Sequence, residues 1–322
     1  GTLDLSSSML TAAVSGTVAI TAQKTTRIAG KGESSVETGS VLTMSAAEDV
    51  RIGAGSEAHA GTLDLSSSTL TAAASGNVAI TAEEATRLSA KGESSVTAET
   101  RLTMSADEDV HIVAAGDSLL NISSTKDIRI DTGSETKAGT LDLHSSLLTA
   151  AASGTIAITA QETTRIAGNG ESSVKAGTLL DLSAAEDVRI GAGSEAQAGA
   201  LELSSSTLSA AASSTVAITA QESTRIAGKD ESSIQAGTLL TLSAAEDVHI
   251  DAGSKAQAGI LGLSSSKLTA AASGTVAITA QETAHIAGKG EISVEAGTLL
   301  VLSAAEDVRI GAGSEAQAGS LD

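Results

Sequence analysis

Triplets of two apolar or small residues flanking a variable one recur along this chain at a mean step of 7.5 residues. Between residues 139 and 198 they begin at Leu141, Leu148, Ile156, Thr164, Val174, Leu180, Val188 and Ala196. Side chains alternate across a β-strand, so each triplet reads as a short strand with two residues turned in and one turned out. Leu141-Asp142-Leu143, Ile156-Ala157-Ile158 and Val188-Arg189-Ile190 show the pattern, and Ile166 closes the triplet that Thr164 opens. The alternation assigns Leu141, Leu143, Ile156, Ile158, Ile166, Val188 and Ile190 to a core. Helix is disfavoured despite the abundant Ala, because the apolar pairs are two apart, often β-branched, and broken by Gly every few residues.

The triplets belong to a longer repeat. Sixty-residue repeats span 1–60, 139–198, 199–258 and 259–318, a 78-residue repeat spans 61–138, and a sixth opens at Gly319. The long repeat carries 18 extra residues with two further triplets, Leu120-Asn121-Ile122 and Ile128-Arg129-Ile130, so the insertion adds whole strands. No shift of composition separates the repeats, and 1–322 reads as one continuous β-helical shaft, a window on a longer protein. Turn sequences such as SAAED, GAGSE and AGKGE lie between the triplets. Gly61, Gly139, Gly199 and Gly259 fall in the shortest step, where the chain reverses its heading within two residues. Glycine supplies backbone conformations there that other residues resist.

Composition narrows the geometry. The 322 residues include no Phe, Tyr, Trp, Pro or Cys. Ordinary globular cores draw much of their buried area from aromatics. A narrow axis where three strands meet at every level admits Leu, Ile, Val, Ala and Thr instead, and central strands exclude Pro. Disorder is the reading that a net charge of −20 invites, but 41% of residues are hydrophobic and they sit in register. No run of 18 apolar residues is present, so these residues hold no membrane span. The strong negative charge argues against direct nucleic-acid binding.

Eight triplets per repeat bear on how the strands wind. In a three-sided solenoid eight strands do not divide by three, and successive repeats begin on different sides. A two-sided single-chain solenoid, with four coils of about fifteen residues, divides evenly. Three chains wound on one axis give every triplet an equivalent place whatever the number per repeat. The expected fold is therefore all-β and fibrous: an intertwined triple-stranded β-helix, with the two-sided single-chain solenoid as the alternative. One strand spacing per triplet makes the intertwined rod roughly 200 Å long.

A family resemblance points the same way. LTMSAAEDVRIGAGSE, Leu42 to Glu57, resembles the octad pattern of the trimeric β-helical needles of phage tail spikes and type VI secretion tips. TVAITAQESTRIAGKDESSIQAGTLLTLSAAEDVHIDAG, Thr215 to Gly253, is similar in texture to sarcoglycan ectodomains. The chain lacks the membrane span and cysteine-bearing cap of sarcoglycans and the regular Gly of phage octads. The resemblance implies a rigid homotrimeric or heterotrimeric shaft whose partners are similar chains and other filament subunits. It implies no catalysis and no cofactor.

Candidate chemistry is sparse. AAEDVRI places Glu48 and Asp49, Glu186 and Asp187, and Glu306 and Asp307 at corners, followed by Arg51, Arg189 and Arg309. Clustered carboxylates suit divalent cations, yet no Asp-rich calcium loop is present, and a solvated corner with a nearby opposite charge is the simpler reading. AGKGESS, Ala29 to Ser35, lacks the spacing of a phosphate-binding loop. His59, His111, His144, His249 and His285 occupy different places in the repeat, His144 in a turn, and no Ser, His and Asp recur as a set. Asn121-Ile122-Ser123 is a glycosylation sequon on an outward position of the insertion. Thr residues in LTA, AIT and LTM form no flat Thr-x-Thr ladder. The sequence thus leads to a non-catalytic shaft of an extracellular or surface filament, such as a flagellar hair, cell-surface fibre or tail fibre. The alternative is a monomeric solenoid that binds ice, glycan or divalent cations.

Overall fold

In the strand Val41–Ala46, Leu42, Met44 and Ala46 point inward, while Val41, Thr43 and Ser45 lie at the surface. The strands of the first repeat are Leu3–Ser7, Leu10–Val14, Val18–Ala22, Thr25–Gly30, Ser34–Thr38, Val41–Ala46 and Asp49–Ala54, and the same alternation is plain in Thr25–Gly30, Ser34–Thr38 and Asp49–Ala54. The structure, a computed structural model, describes residues 3–7, 10–30, 34–38, 40–54, 62–114, 119–133, 139–145, 147–193, 199–253, 260–289, 291–314, 317–318 and 320–321. It comprises two compact units, Gly1–Arg165 and Ile166–Asp322, so the divide falls inside the third repeat rather than between repeats. Each unit is an all-β, parallel, single-chain solenoid, and no helix occurs among the described residues.

One rule of pairing builds both units. Among the described residues, each strand lies parallel to the third before it and the third after it, so three consecutive strands complete one turn and three ladders run along each unit. The exceptions are the end strands and the antiparallel pairing of Gly313 and Ser314 with Ala318 and Gln317. In the first unit, one ladder joins the strands beginning at Leu3, Thr25, Asp49, Val78, Arg101, Asp127 and Ile156. A second joins those beginning at Leu10, Ser34, Leu63, Thr86, Val110 and Leu141. The third joins those beginning at Val18, Val41, Thr69, Ser94, Leu119 and Leu147. The second unit repeats the scheme, with the first and second strands of its repeat 199–258 running together as Leu201–Ala212 and the fourth and fifth as Ser223–Ala236. The single-chain solenoid expected as the alternative fits, with three ladders in place of its two sides.

The three-sided objection fails for a physical reason. A sixty-residue repeat contributes seven described strands; the eighth triplet, at Ala58 and Ala196, lies outside the described residues. Seven is not a multiple of three, so a given strand does move to a new ladder in the next repeat. Its neighbours, however, stay the same. In the sixty-residue repeats the sixth strand carries the second strand of the following repeat, as in Leu42 against Leu70, Leu180 against Leu208 and Leu240 against Leu268. The seventh carries the third, as in Val50 against Val78, Val188 against Val216 and Val248 against Val276. A side chain's surroundings are set by what it touches, not by which side of the coil it occupies.

The insertion obeys the same logic. LLNISSTKDIRIDTG, Leu119 to Gly133, is a second version of the sixth and seventh strands, and Ile128 again pairs with the third strand at Ile156. Stacked inward columns form the core: Ile20, Met44, Ala72, Val96, Ile122 and Ala150 follow one another on one ladder. The sequence-assigned core residues Leu141, Leu143, Ile156, Ile158, Ile166, Val188 and Ile190 are all buried. Inward hydroxyls span the corners, as where Thr26 Oγ1 donates to the Ser45 carbonyl at 3.2 Å and Thr224 Oγ1 to that of Ser243 at 3.2 Å.

Candidate functional site

The acidic corners are clasps between turns. At the junction of the first two repeats, the turn Ser75-Gly76-Asn77 lies over Ala47-Glu48-Asp49. Asn77 donates its backbone N–H to Asp49 Oδ1 at 2.9 Å and its side-chain amide to the same oxygen at 3.1 Å. Gly76 N–H donates to the Glu48 carbonyl, and Ser75 Oγ donates to the Ala47 carbonyl. The device recurs: Thr155, Thr215 and Thr275 donate their N–H groups to Oδ1 of Asp127, Asp187 and Asp247 at 3.0, 3.0 and 2.7 Å. A Cβ at Gly76 would come within 2.6 Å of Asp49 Oδ1, so the close approach of the two turns requires glycine there.

The aspartate carboxylates of these corners are engaged by neighbouring donors. The Asn77 backbone N–H, more than any other group, lowers the Asp49 pKa below its ordinary 3.8, and the Asn77 amide and Arg51 add to this against the opposing effect of burial. Arg51, Arg189 and Arg309 reach back to Asp49, Asp187 and Asp307 at 2.9, 2.8 and 2.7 Å. Glu48 and Glu186 contribute backbone carbonyls, Glu186 accepting from Ser214 N–H at 2.9 Å. Glu306 N–H donates to the Glu282 carbonyl at 3.0 Å. Among the described residues no three His, Cys, Asp or Glu side chains converge as metal ligands would.

The turn glycines divide into two kinds. Positive φ belongs to Gly133 at 81°, Gly193 at 86° and Gly253 at 90°. Gly139 and Gly199 answer a different need, since a Cβ on either would collide with a carbonyl of the preceding turn, that of Glu108 or Gly170. Gly61 and Gly259 lie outside the described residues. The sequence singled out Gly139 and Gly199 for a backbone conformation that belongs instead to Gly133, Gly193 and Gly253, because collision with a neighbouring turn has no local signature.

On the outside, winding assembles surfaces that chain order hides. Ala19, Thr43, Thr71, Ser95, Asn121 and Thr149 form one outward column in register, and Thr21, Ser45, Ala73, Thr97, Ser123 and Ala151 form the next. These columns carry no charged residue. No strand of this surface presents Thr-x-Thr, as the sequence indicates, but winding makes Thr43 and Thr71 neighbours across 28 residues. Asn121 sits in the middle of this surface, half-buried, in the strand Leu119–Ser124.

Two shallow clefts occupy equivalent places. One, of about 320 Å³, is lined by Arg27 and Arg51 over Ala29 and Gly53. The other, of about 590 Å³, has Arg225 and Lys229 beside Ala227 and Asp251. His249 lies in register with Arg225, His111 is 3.9 Å from Asp109, and His144 belongs to the strand Leu141–Ser145 rather than a turn. His285 points outward from Thr283–Gly288, and His59 lies outside the described residues. No family model, curated protein or solved structure matches this chain.

The clasp predicts a pH-dependent contribution. Because folding lowers the Asp49 pKa, the stability it adds is present above pH 3.8 and is lost as pH falls through the lowered value. Asp49→Ala should cost about 1 kcal/mol in urea unfolding at neutral pH, and the gap should close in strong acid. An acid-independent gap would contradict the charge-assisted clasp.

Proposed function

We propose that this chain is a non-catalytic structural shaft of an extracellular or cell-surface filament, with one chain per cross-section. The neighbour rule carries the reading. A repeat that brings the same partners above and below can be added without any new kind of contact, and length becomes a matter of repeat number. Titratable residues support it by being spread along the ladders or engaged in clasps. The interwoven trimer that the octad resemblance implies places three chains on one axis. Here a single chain already sets three strands around its axis and buries Leu42, Met44, Val50 and Ile52 without help.

A second reading, a binding module for ice or a neutral glycan, draws on the uncharged Thr and Ser columns of the first unit. Thermal hysteresis in the parent, absent from Thr71→Lys, supports it; its absence from both leaves the shaft alone. The shaft itself is tested by chains with added sixty-residue repeats. Seven strands at three per turn should lengthen the particle by about 11 Å per repeat in electron micrographs or X-ray scattering. An interwoven trimer adds one strand spacing per triplet, about 38 Å, and that increment would overturn the proposal.

A further inference from the structure

Basic side chains are scarce on this chain, 19 Lys and Arg against 39 Asp and Glu, yet winding brings them together. The outward residue of a repeat's fourth strand lies in register beside that of the seventh. Arg27 meets Arg51, Arg87 meets His111, Arg225 meets His249 and His285 meets Arg309. Like charges on adjoining strands destabilise a sheet, so the ladder itself does not account for the pairing. An acidic neighbour is at hand on the other side, where Asp4, Asp64 and Glu202 lie in register with Arg27, Arg87 and Arg225. Among the described residues these three arginines nevertheless form no ion pair, and Glu202 is held by Lys175 at 2.7 Å instead.

Both surface clefts open beside such pairs. In the first unit the cleft of about 320 Å³ is lined by Arg27 and Arg51 over a floor of Ala29 and Gly53, and no carboxylate lines it. Arg51 gives one amino group to Asp49 at 2.9 Å, which leaves the rest of its donor fork. In the second unit the cleft of about 590 Å³ joins Arg225 and Lys229 to Ser204, Thr279 and Gln281. The one carboxylate there, Asp251, accepts from Thr279 Oγ1.

We infer that these clefts bind an acidic glycan through its sulfate or carboxylate groups. Guanidinium forks hold such oxyanions by paired, charge-assisted hydrogen bonds. The hydroxyl and amide groups of Ser204, Thr279 and Gln281 suit the sugar hydroxyls beside them, and both volumes are those of small-ligand sites. A single-stranded nucleic acid would want aromatic side chains to stack its bases, and the chain has none. The net charge of −20 opposes a polyanion at long range, so the clefts act by contact. The inference stands apart from the shaft reading, because each cleft is built from a few adjoining strands.

Calorimetric titration of the whole chain with dextran sulfate and polygalacturonate oligosaccharides tests this. At least one of them should bind, and uncharged dextran should not. Arg27→Gln combined with Arg225→Gln should weaken binding about tenfold, through loss of one charge-assisted contact in each cleft. Arg101→Gln combined with Lys267→Gln removes the same charge outside the clefts and should change affinity less than about twofold. All four side chains are exposed, so both variants should melt with the parent in circular dichroism. Failure of both oligosaccharides to bind, or equal losses in the two variants, overturns the inference. So does binding of inorganic sulfate or a single-stranded oligonucleotide as tightly as the glycan. Chains that bind no glycan but still lengthen by about 11 Å per added repeat would lose the clefts and keep the shaft.

Discussion

Everything in this fold depends on one pairing: each strand lies in parallel register on the third strand before it. The pairing closes the backbone hydrogen bonds between turns and stacks inward side chains in columns, so Ile20, Met44, Ala72 and Val96 cover one another. A single hairpin or an isolated coil could not hide its apolar face. Stability is therefore nearest-neighbour in kind, with each turn supported by those above and below. The clasps at Asp49, Asp127, Asp187 and Asp247 act between the same neighbours, tying a corner to the corner one turn further on.

The odd composition follows from that constraint. Where three strands converge at every level, the interior has no room for aromatic rings, and Leu, Ile, Val, Met and Ala fill it. Parallel ladders on both sides of a strand leave no position for Pro. Ala46, Ala74, Ala98 and Ala106 end their strands near the corners and are buried there, where a longer side chain would crowd the turn. Outward residues are free of this demand and vary, which is why charge and hydroxyl vary from strand to strand while the inward pattern holds.

Much of this was legible in the sequence, and the exceptions share a cause. Alternation over two residues identified the strands and the inward Leu141, Ile156 and Val188, because burial on one side of a strand leaves a local trace. The number of strands per turn left none. The triplets at Ala58 and Ala196 lie outside the described residues, and the pairing of the described strands advances by seven per sixty-residue repeat where the triplet count gave eight. The argument that repeats must return to the same side assumed that position matters, when contact does. The acidic corners showed their charge in sequence but not their acceptor role, since the donor to Asp49 stands 28 residues away. The Thr43–Thr71 column was invisible for the same reason.

The most direct test of this account is proximity across a ladder. The chain has no cysteine, so Thr43→Cys with Thr71→Cys gives one outward pair on adjoining strands of the same ladder, and Thr43→Cys with Ser66→Cys gives a control pair on different ladders. A short bifunctional thiol reagent should link the first pair within one chain, at the mass of a single chain, and leave the control unlinked. Products that join chains to one another, with no link inside a chain, would contradict the three-strand turn on which everything above is built.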